Sequence, residues 1–223
     1  MDWRAYPDPE ALFLSLAGQV AGELGQALRL HGRASLTVPG GSTPGPLFDL
    51  LSGVDLDWPH VSVMLNDERW VPEDSPRSNT ALLRRRLLRG RAAGAVLVPL
   101  RADTPEPEDA LAGLAAGIAP HLPLSCAVLG MGEDMHTASL FPGGDRLVQA
   151  LAPDAPTLVA MRAPGAAEPR VTLSAPVLAG ALHIHVLILG AAKRAALETA
   201  RDLPPHLAPV RAVLDNAIVH WAE

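Results

Sequence analysis

The stretch Ala34-Ser35-Leu36-Thr37-Val38-Pro39-Gly40-Gly41-Ser42-Thr43-Pro44 reads as a short apolar strand, a glycine turn and the start of a helix. Ser42 or Thr43 is the expected N-cap, and Pro44 falls in the first turn, where its missing N–H is no loss. Upstream, Leu12, Phe13, Leu16, Val20, Leu24 and Leu28 recur at three- and four-residue spacings, which predicts an amphipathic helix over 9–30. Downstream the alternation continues. Strands are expected at 61–65, 96–98, 126–129, 157–161, 171–173, 183–189 and 217–220, with helices at 78–88, 107–121, 175–181 and 191–201. Apolar strands alternating with helices predict one α/β domain, its mainly parallel sheet covered on both faces. The proline-rich pieces 99–107, 153–169 and 203–209 read as surface connections.

Composition narrows the classes. The 223 residues include 24 acidic and 18 basic side chains, a formal net charge of −6, with 48% apolar and 19% charged residues. Such a chain is globular and long enough for a substantial core. Its acidic balance argues against nucleic acid, which demands a concentrated basic face. Arg84, Arg85, Arg86, Arg89 and Arg91 do cluster, but among Leu82, Leu83, Leu87 and Leu88 they read as the solvated face of a helix. The one cysteine, Cys126, excludes an intramolecular disulfide and fits a reducing compartment. It lies in an apolar strand with no base beside it, so an inert buried thiol is expected. No apolar run approaches the roughly 20 residues that span a bilayer, and residues 1–10 lack a secretory pattern. A cytoplasmic protein with no membrane partner is expected.

Ligands of a parallel sheet sit at the carboxyl ends of its strands, so the loops there carry the candidates. The Gly40-Gly41-Ser42-Thr43 turn offers an anion backbone N–H groups, hydroxyls and a helix N-terminus. It lacks the Gly-Lys-Ser/Thr ending of a nucleotide P-loop, and no dinucleotide fingerprint follows. Asp67, Glu68 and Arg69 come directly after an apolar strand, where burial is costly unless charges are paired or used. Arg69 suits an oxyanion and Asp67 suits orienting a catalytic group; a solvated loop with an internal salt bridge would also explain them. Ser78 and Asn79 read as helix caps.

The strongest loop is Gly130-Met131-Gly132-Glu133-Asp134-Met135-His136, where a buried strand runs into two glycines, an aspartate and an imidazole. A histidine, with a reference pKa of about 6.5, serves there as a general base near neutral pH. His31, His60, His121, His206 and His220 fall at element ends or in loops without neighbouring chemistry. His183 and His185 alternate within a strand and face one side of the sheet. Arg170 begins a short strand, and Lys193, the one lysine of the chain, stands in the first turn of a helix. Arginine replaces lysine everywhere else, which singles Lys193 out. Together Arg69, Arg170 and Lys193 suit a phosphate of about −2 charge. No His, Cys or carboxylate cluster has zinc-ligand spacing, and Gly-x-Ser-x-Gly is absent.

In this order, Gly40 through Pro44, Asp67-Glu68-Arg69 with Val71-Pro72 and Ser78-Asn79, Gly130 through Pro142, Pro169 through Ser174, and Gly190 with Lys193 resemble the 6-phosphogluconolactonase family. The resemblance spreads from residue 39 to 193. It implies a three-layer Rossmann-like fold without metal or cofactor. It also implies hydrolysis of 6-phospho-D-glucono-1,5-lactone to 6-phosphogluconate in the oxidative pentose phosphate pathway. On this sequence His136 would activate water, and Arg69, Arg170 and Lys193 would hold the substrate phosphate. Asp67, Asp134 and the Gly40-Gly41-Ser42-Thr43 turn would line the same cleft. A single domain over 1–223, a monomer or small homo-oligomer, is expected. The family usually reads Asp-Gly-His where this chain has Asp134-Met135-His136; a positive φ there would strain Met135 by on the order of 1 kcal/mol. Two other readings stand beside this one. A glucosamine-6-phosphate deaminase-type isomerase places a carboxylate five residues after the loop histidine, where this chain has Phe141. A non-catalytic sugar-phosphate sensor would need an output module, and no such extension is visible.

Overall fold

In the computed structural model, which describes residues 1–223, ten strands fall into two sheets. Seven of them, β1 (Asp2–Ala5), β2 (Ala34–Val38), β3 (Val61–Leu65), β5 (Val96–Leu97), β6 (Cys126–Gly130), β9 (His183–Leu189) and β10 (Ala217–Ala222), pair in parallel. Their order is β1-β10-β9-β6-β2-β3-β5. The other three, β4 (Asp67–Arg69), β7 (Leu158–Met161) and β8 (Arg170–Leu173), make a small antiparallel sheet in the order β4-β8-β7. The helices are α1 (Pro9–His31), α2 (Gly45–Ser52), α3 (Asn79–Arg86), α4 (Leu111–Ile118), α5 (Leu147–Leu151), α6 (Ala175–Ala179), α7 (Ala191–Ala200) and α8 (Arg211–Leu214). Every residue of β2 and β3 is buried, as a parallel sheet requires when helices cover both faces. The predicted α/β architecture is therefore present, and one apolar cluster runs through it from Leu12 to Ala222.

Helix α1 shows how local chemistry sets an element. The Asp8 carboxylate accepts from Ala11 N at 2.8 Å, Pro9 opens the first turn, and Gly32 at φ +68° ends the helix. Leu12, Phe13, Leu16, Val20 and Leu24 are buried, as their periodicity predicts. Helix α2 departs from expectation: Pro44 occupies the N-cap position and no side chain caps it. Gly41, at φ +85°, turns the chain so that Ser42 and Thr43 line a cleft instead. The segment 107–121 is α-helical only over α4, with a 3-10 turn before it and another after it, and without a side-chain cap at Ala110. Strand β7 falls on the strand expected at 157–161, within the proline-rich piece 153–169, whereas β4 lies where a loop was expected. Arg84, Arg86, Arg89 and Arg91 each meet a carboxylate, on Glu73, Asp49 or Asp55, in keeping with a solvated, charge-paired face. No helix is long and apolar enough to cross a membrane.

Polar residues beneath α1 overturn two expectations. His220 lies inside β10, fully buried, with Nδ1 2.8 Å from the Tyr6 hydroxyl and Nε2 3.0 Å from His185 Nδ1. Burial, with the charges of His185 and Arg4, pushes its pKa down to about 3. Cys126 is buried as expected but is not isolated, for the Glu23 carboxylate and the His185 imidazole stand beside it. Burial first, then Glu23, hold its thiol well above the ordinary range. His183 and His185 do share one face, and both reach Glu23, at 3.5 and 2.9 Å.

Glu68 ties β4 to α3. Its carboxylate is 1% exposed and accepts from the N–H groups of Arg69, Asn79 and Thr80 and the hydroxyls of Ser78 and Thr80. Such charge-assisted bonds are about twice as strong as neutral ones. Glu68→Gln sets an amide N–H₂ against these donors, and we expect chemical denaturation to show a loss of about 2–4 kcal/mol.

Candidate active site

The turns that follow β2, β3, β6 and β9 converge at the carboxyl edge of the parallel sheet and enclose a cleft of about 380 Å³. Gly40, Gly41, Ser42, Thr43, Asp67, Arg69, His136, Arg170 and Lys193 all line it. The structure thus brings together every residue expected there except Asp134, which stands one contact behind. Asp134 Oδ1 lies 2.5 Å from His136 Nδ1 and also accepts from the His136 N–H. With the carboxylate taking Nδ1–H, the Nε2 lone pair of His136 is left as the basic atom.

Asp67 has a different partner. Its Oδ2 accepts from the Ser139 hydroxyl at 2.5 Å and lies 3.7 Å from Arg170 Nη1. The two aspartates therefore meet different partners: Asp134 is hydrogen-bonded to the imidazole, and Asp67 sets its charge beside a guanidinium. Burial lowers the pKa of Arg170, Asp67 opposes that shift, and Arg69 adds to it. Arg69 faces Arg170 across the β4–β8 pair; its Nη1 donates to Arg77 O and Asn79 Oδ1. The Nε atoms of both arginines are buried without a protein acceptor. Lys193 projects from the first turn of α7, which no side chain caps. The α2 N-terminus is likewise uncapped, so two helix dipoles add positive potential to the cleft.

Three contributors were not assigned a place by sequence. Phe141 lies against both functional ends: its ring is 4.7 Å from the His136 ring and 5.8 Å from the Arg170 guanidinium carbon. Only the tertiary fold reveals that role. Asn79, expected as a cap alone, turns into the cleft, donating to Asp67 O and accepting from Arg69. A methyl at Gly40 would overlap that amide, so glycine is required there for close approach. Ser139, fully buried, was distinguished by nothing but its loop.

The cleft defines a class. The chain belongs to the family described as glucosamine-6-phosphate isomerases/6-phosphogluconolactonase, whose model matches residues 7–221. Within it, the chain is 42% identical to a 6-phosphogluconolactonase of Rhizobium meliloti (strain 1021), covering 97% of each chain. It is 41% identical to the 6-phosphogluconolactonase of Pseudomonas aeruginosa, over 92% of this chain and 88% of that one. The crystal structure of a 6-phosphogluconolactonase from Shewanella baltica OS155 superposes with a TM-score of 0.96 at 35% identity, covering 100% of this chain and 98% of that one.

The His136–Asp134 pair leaves no room at Gly132, where a methyl would overlap both side chains. Displacing the imidazole by about 1 Å costs on the order of 10²-fold in kcat. Gly132→Ala is expected to show that loss in steady-state kinetics with KM little changed, because the cations of the cleft are untouched.

Proposed function

We propose that residues 1–223 form a single domain that hydrolyses 6-phospho-D-glucono-1,5-lactone to 6-phospho-D-gluconate, the second step of the oxidative pentose phosphate pathway. The observation that carries this reading is one cleft holding both an Asp134-oriented imidazole and three cations, Arg69, Arg170 and Lys193. A lactone is an activated acyl group, so no covalent nucleophile is needed. Nε2 of His136 takes a proton from water as its oxygen attacks C1 of the lactone. Backbone N–H groups of the glycine turn or an arginine stabilise the tetrahedral oxyanion. The imidazolium then returns the proton to the departing ring oxygen, which opens the ring. Arg69, Arg170 and Lys193 hold the distal phosphate and fix the orientation of C1.

The two buried Nε donors and two uncapped helix ends support an anionic ligand. Against isomerase chemistry, the residue five positions after His136 is Phe141, whose ring packs on the imidazole and offers no proton. The enzyme acts in the cytoplasm on a small phosphorylated lactone, as a monomer or small homo-oligomer, without nucleic-acid or membrane partners.

The direct test generates the lactone with glucose-6-phosphate dehydrogenase and follows its decay against spontaneous hydrolysis. Wild type should accelerate the decay, and a rate equal to the blank would sink the assignment. His136→Ala should lower kcat by about 10²–10⁴ while KM stays within a few-fold; full activity would remove His136 as the base. Lys193 is half-buried in the first turn of α7 at the rim of the cleft, outside the apolar core, so Lys193→Ala should fold normally. It is expected to raise KM about tenfold or more, the value of one charge-assisted contact to phosphate, and an unchanged KM would take Lys193 out of the phosphate site.

A further inference from the structure

Beneath α1, on a wall of the sheet away from the cleft, three donor types meet without a role in lactone hydrolysis. A Glu23 carboxylate oxygen, the Cys126 sulfur and a His185 ring nitrogen lie within 4.8 Å of one another. We propose that they form a zinc site, with its fourth position turned toward His183.

Four observations support a metal rather than a chance polar cluster. First, the donor set is one sulfur, one imidazole nitrogen and one carboxylate oxygen, a combination suited to four-coordinate Zn²⁺ and poorly suited to Mg²⁺ or Ca²⁺, which favour oxygen ligands. Bond lengths of about 2.0–2.3 Å put tetrahedral donors roughly 3.4–3.7 Å apart, so about 1 Å of side-chain contraction completes the site. Secondly, charge balances: one thiolate and one carboxylate neutralise Zn²⁺, which is what burial of an ion demands. Thirdly, the outer nitrogen of the ligating histidine is already oriented. His185 Nε2 faces Glu23 at 2.9 Å, while Nδ1 is 3.0 Å from His220 Nε2, and His220 is held in turn by Tyr6. A hydrogen bond to the far nitrogen is how metal-bound imidazoles are fixed. Fourthly, there is a way in. A cavity of about 70 Å³ bordered by Glu23, Gln26, Ser125 and His183 leads to the carboxylate side of the cluster. His183 lies 3.5 Å from Glu23 and pairs in register with Cys126; its imidazole or a water fills the fourth position.

On binding, the Cys126 S–H bond breaks, its proton goes to water, and a Zn–S bond forms. The proton that His185 Nε2 donates to Glu23 is replaced by one on Nδ1, taken over from His220 Nε2, and His220 carries its own on Nδ1 facing the Tyr6 hydroxyl, so both imidazoles stay neutral. The ion would join α1 to β6 and β9, so its effect is on stability. The ligands are drawn from positions 23, 126 and 185, too far apart to make a motif.

The test uses the full chain, stripped with a chelator and then given Zn²⁺ or Co²⁺ alone. One equivalent of Co²⁺ should produce a thiolate-to-cobalt charge-transfer absorption, which Zn²⁺ abolishes. Zn²⁺ at about 100 times its Kd should raise Tm by roughly 5–10 °C, and should slow alkylation of Cys126, the one thiol, in wild type. Cys126→Ala should lose the absorption and the Tm gain while retaining lactone hydrolysis. Absence of the absorption together with unchanged alkylation overturns the proposal. So does a Tm gain that persists in Cys126→Ala, which would put the ion elsewhere, for instance on His136 and Asp134. The alkylation measurement needs no variant, so a misfolded Cys126→Ala would not shelter the idea.

Discussion

Alternation along one three-residue strand holds the cleft together. In β4, Asp67 and Arg69 point to the cleft, and Glu68 between them points to α3, the period-two geometry of any strand. Arg69 pairs with Arg170 across the β4–β8 ladder, and like charges directly opposite are unfavourable. Asp67, held by Ser139 and set beside Arg170, offsets that repulsion from within the cleft. Glu68 offsets it from behind by fixing the start of α3, and so Asn79, against Arg69. The cations are therefore in place before any anion arrives, and a phosphate that enters removes repulsion instead of organising disordered side chains.

How much of this could be read from the chain depended on whether a segment's residues obeyed a periodic rule. Strands β2, β3, β6 and β9 were legible because buried parallel strands are continuous apolar runs. Strand β4 was not: Asp-Glu-Arg has poor strand propensity, and it pairs only because Val171 and its neighbours provide an edge and its charges find buried partners. Strands β7 and β8 were legible at 157–161 and 171–173, but their pairing with β4 into a separate antiparallel sheet was not, since the partners of a ladder built from residues 67, 158 and 170 onward have no local signal. In the cleft, His136, Arg69 and Lys193 were legible from chemistry placed after strands, and Arg170 from its place at the start of one. Phe141, Asn79 and Ser139 act through distances that no spacing encodes. The polar group beneath α1 was hidden likewise, as Tyr6, Glu23, Cys126, His185 and His220 meet only through the crossing of α1 over the sheet.

The turn that carries His136 is built under strain. Met135 has φ +66° and Ala138 φ +49°, so two residues with side chains occupy the left-handed region in one turn, each at a cost of roughly 1–2 kcal/mol. The turn is not remodelled to accommodate methionine; it is held by its hydrogen bonds. Gly132 N donates to His136 O and Met135 N to Gly132 O, both at 3.0 Å, and Val210 N donates to Met135 O. Thr137 Oγ1 closes it onto Gly130 O at 2.8 Å. Met135 also packs its side chain against the core, which recovers apolar burial that a glycine there would forgo. Strain of this kind persists where the surroundings over-determine the backbone, and here the over-determined group is the imidazole.

A chain of net charge −6 that takes an anion faces an apparent contradiction. It resolves on the scale of screening. At physiological ionic strength charges more than about 8 Å apart hardly sense one another in solvent, so the acidic surface is nearly silent to a ligand at the cleft mouth. Within that distance the ligand meets Arg69, Arg170, Lys193 and two uncapped helix ends against a single cleft carboxylate, Asp67, already engaged with Ser139. The partly buried walls weaken screening further, because field lines there pass through protein instead of water. Attraction is thus confined to contact range and adds little to the rate at which the ligand is first encountered.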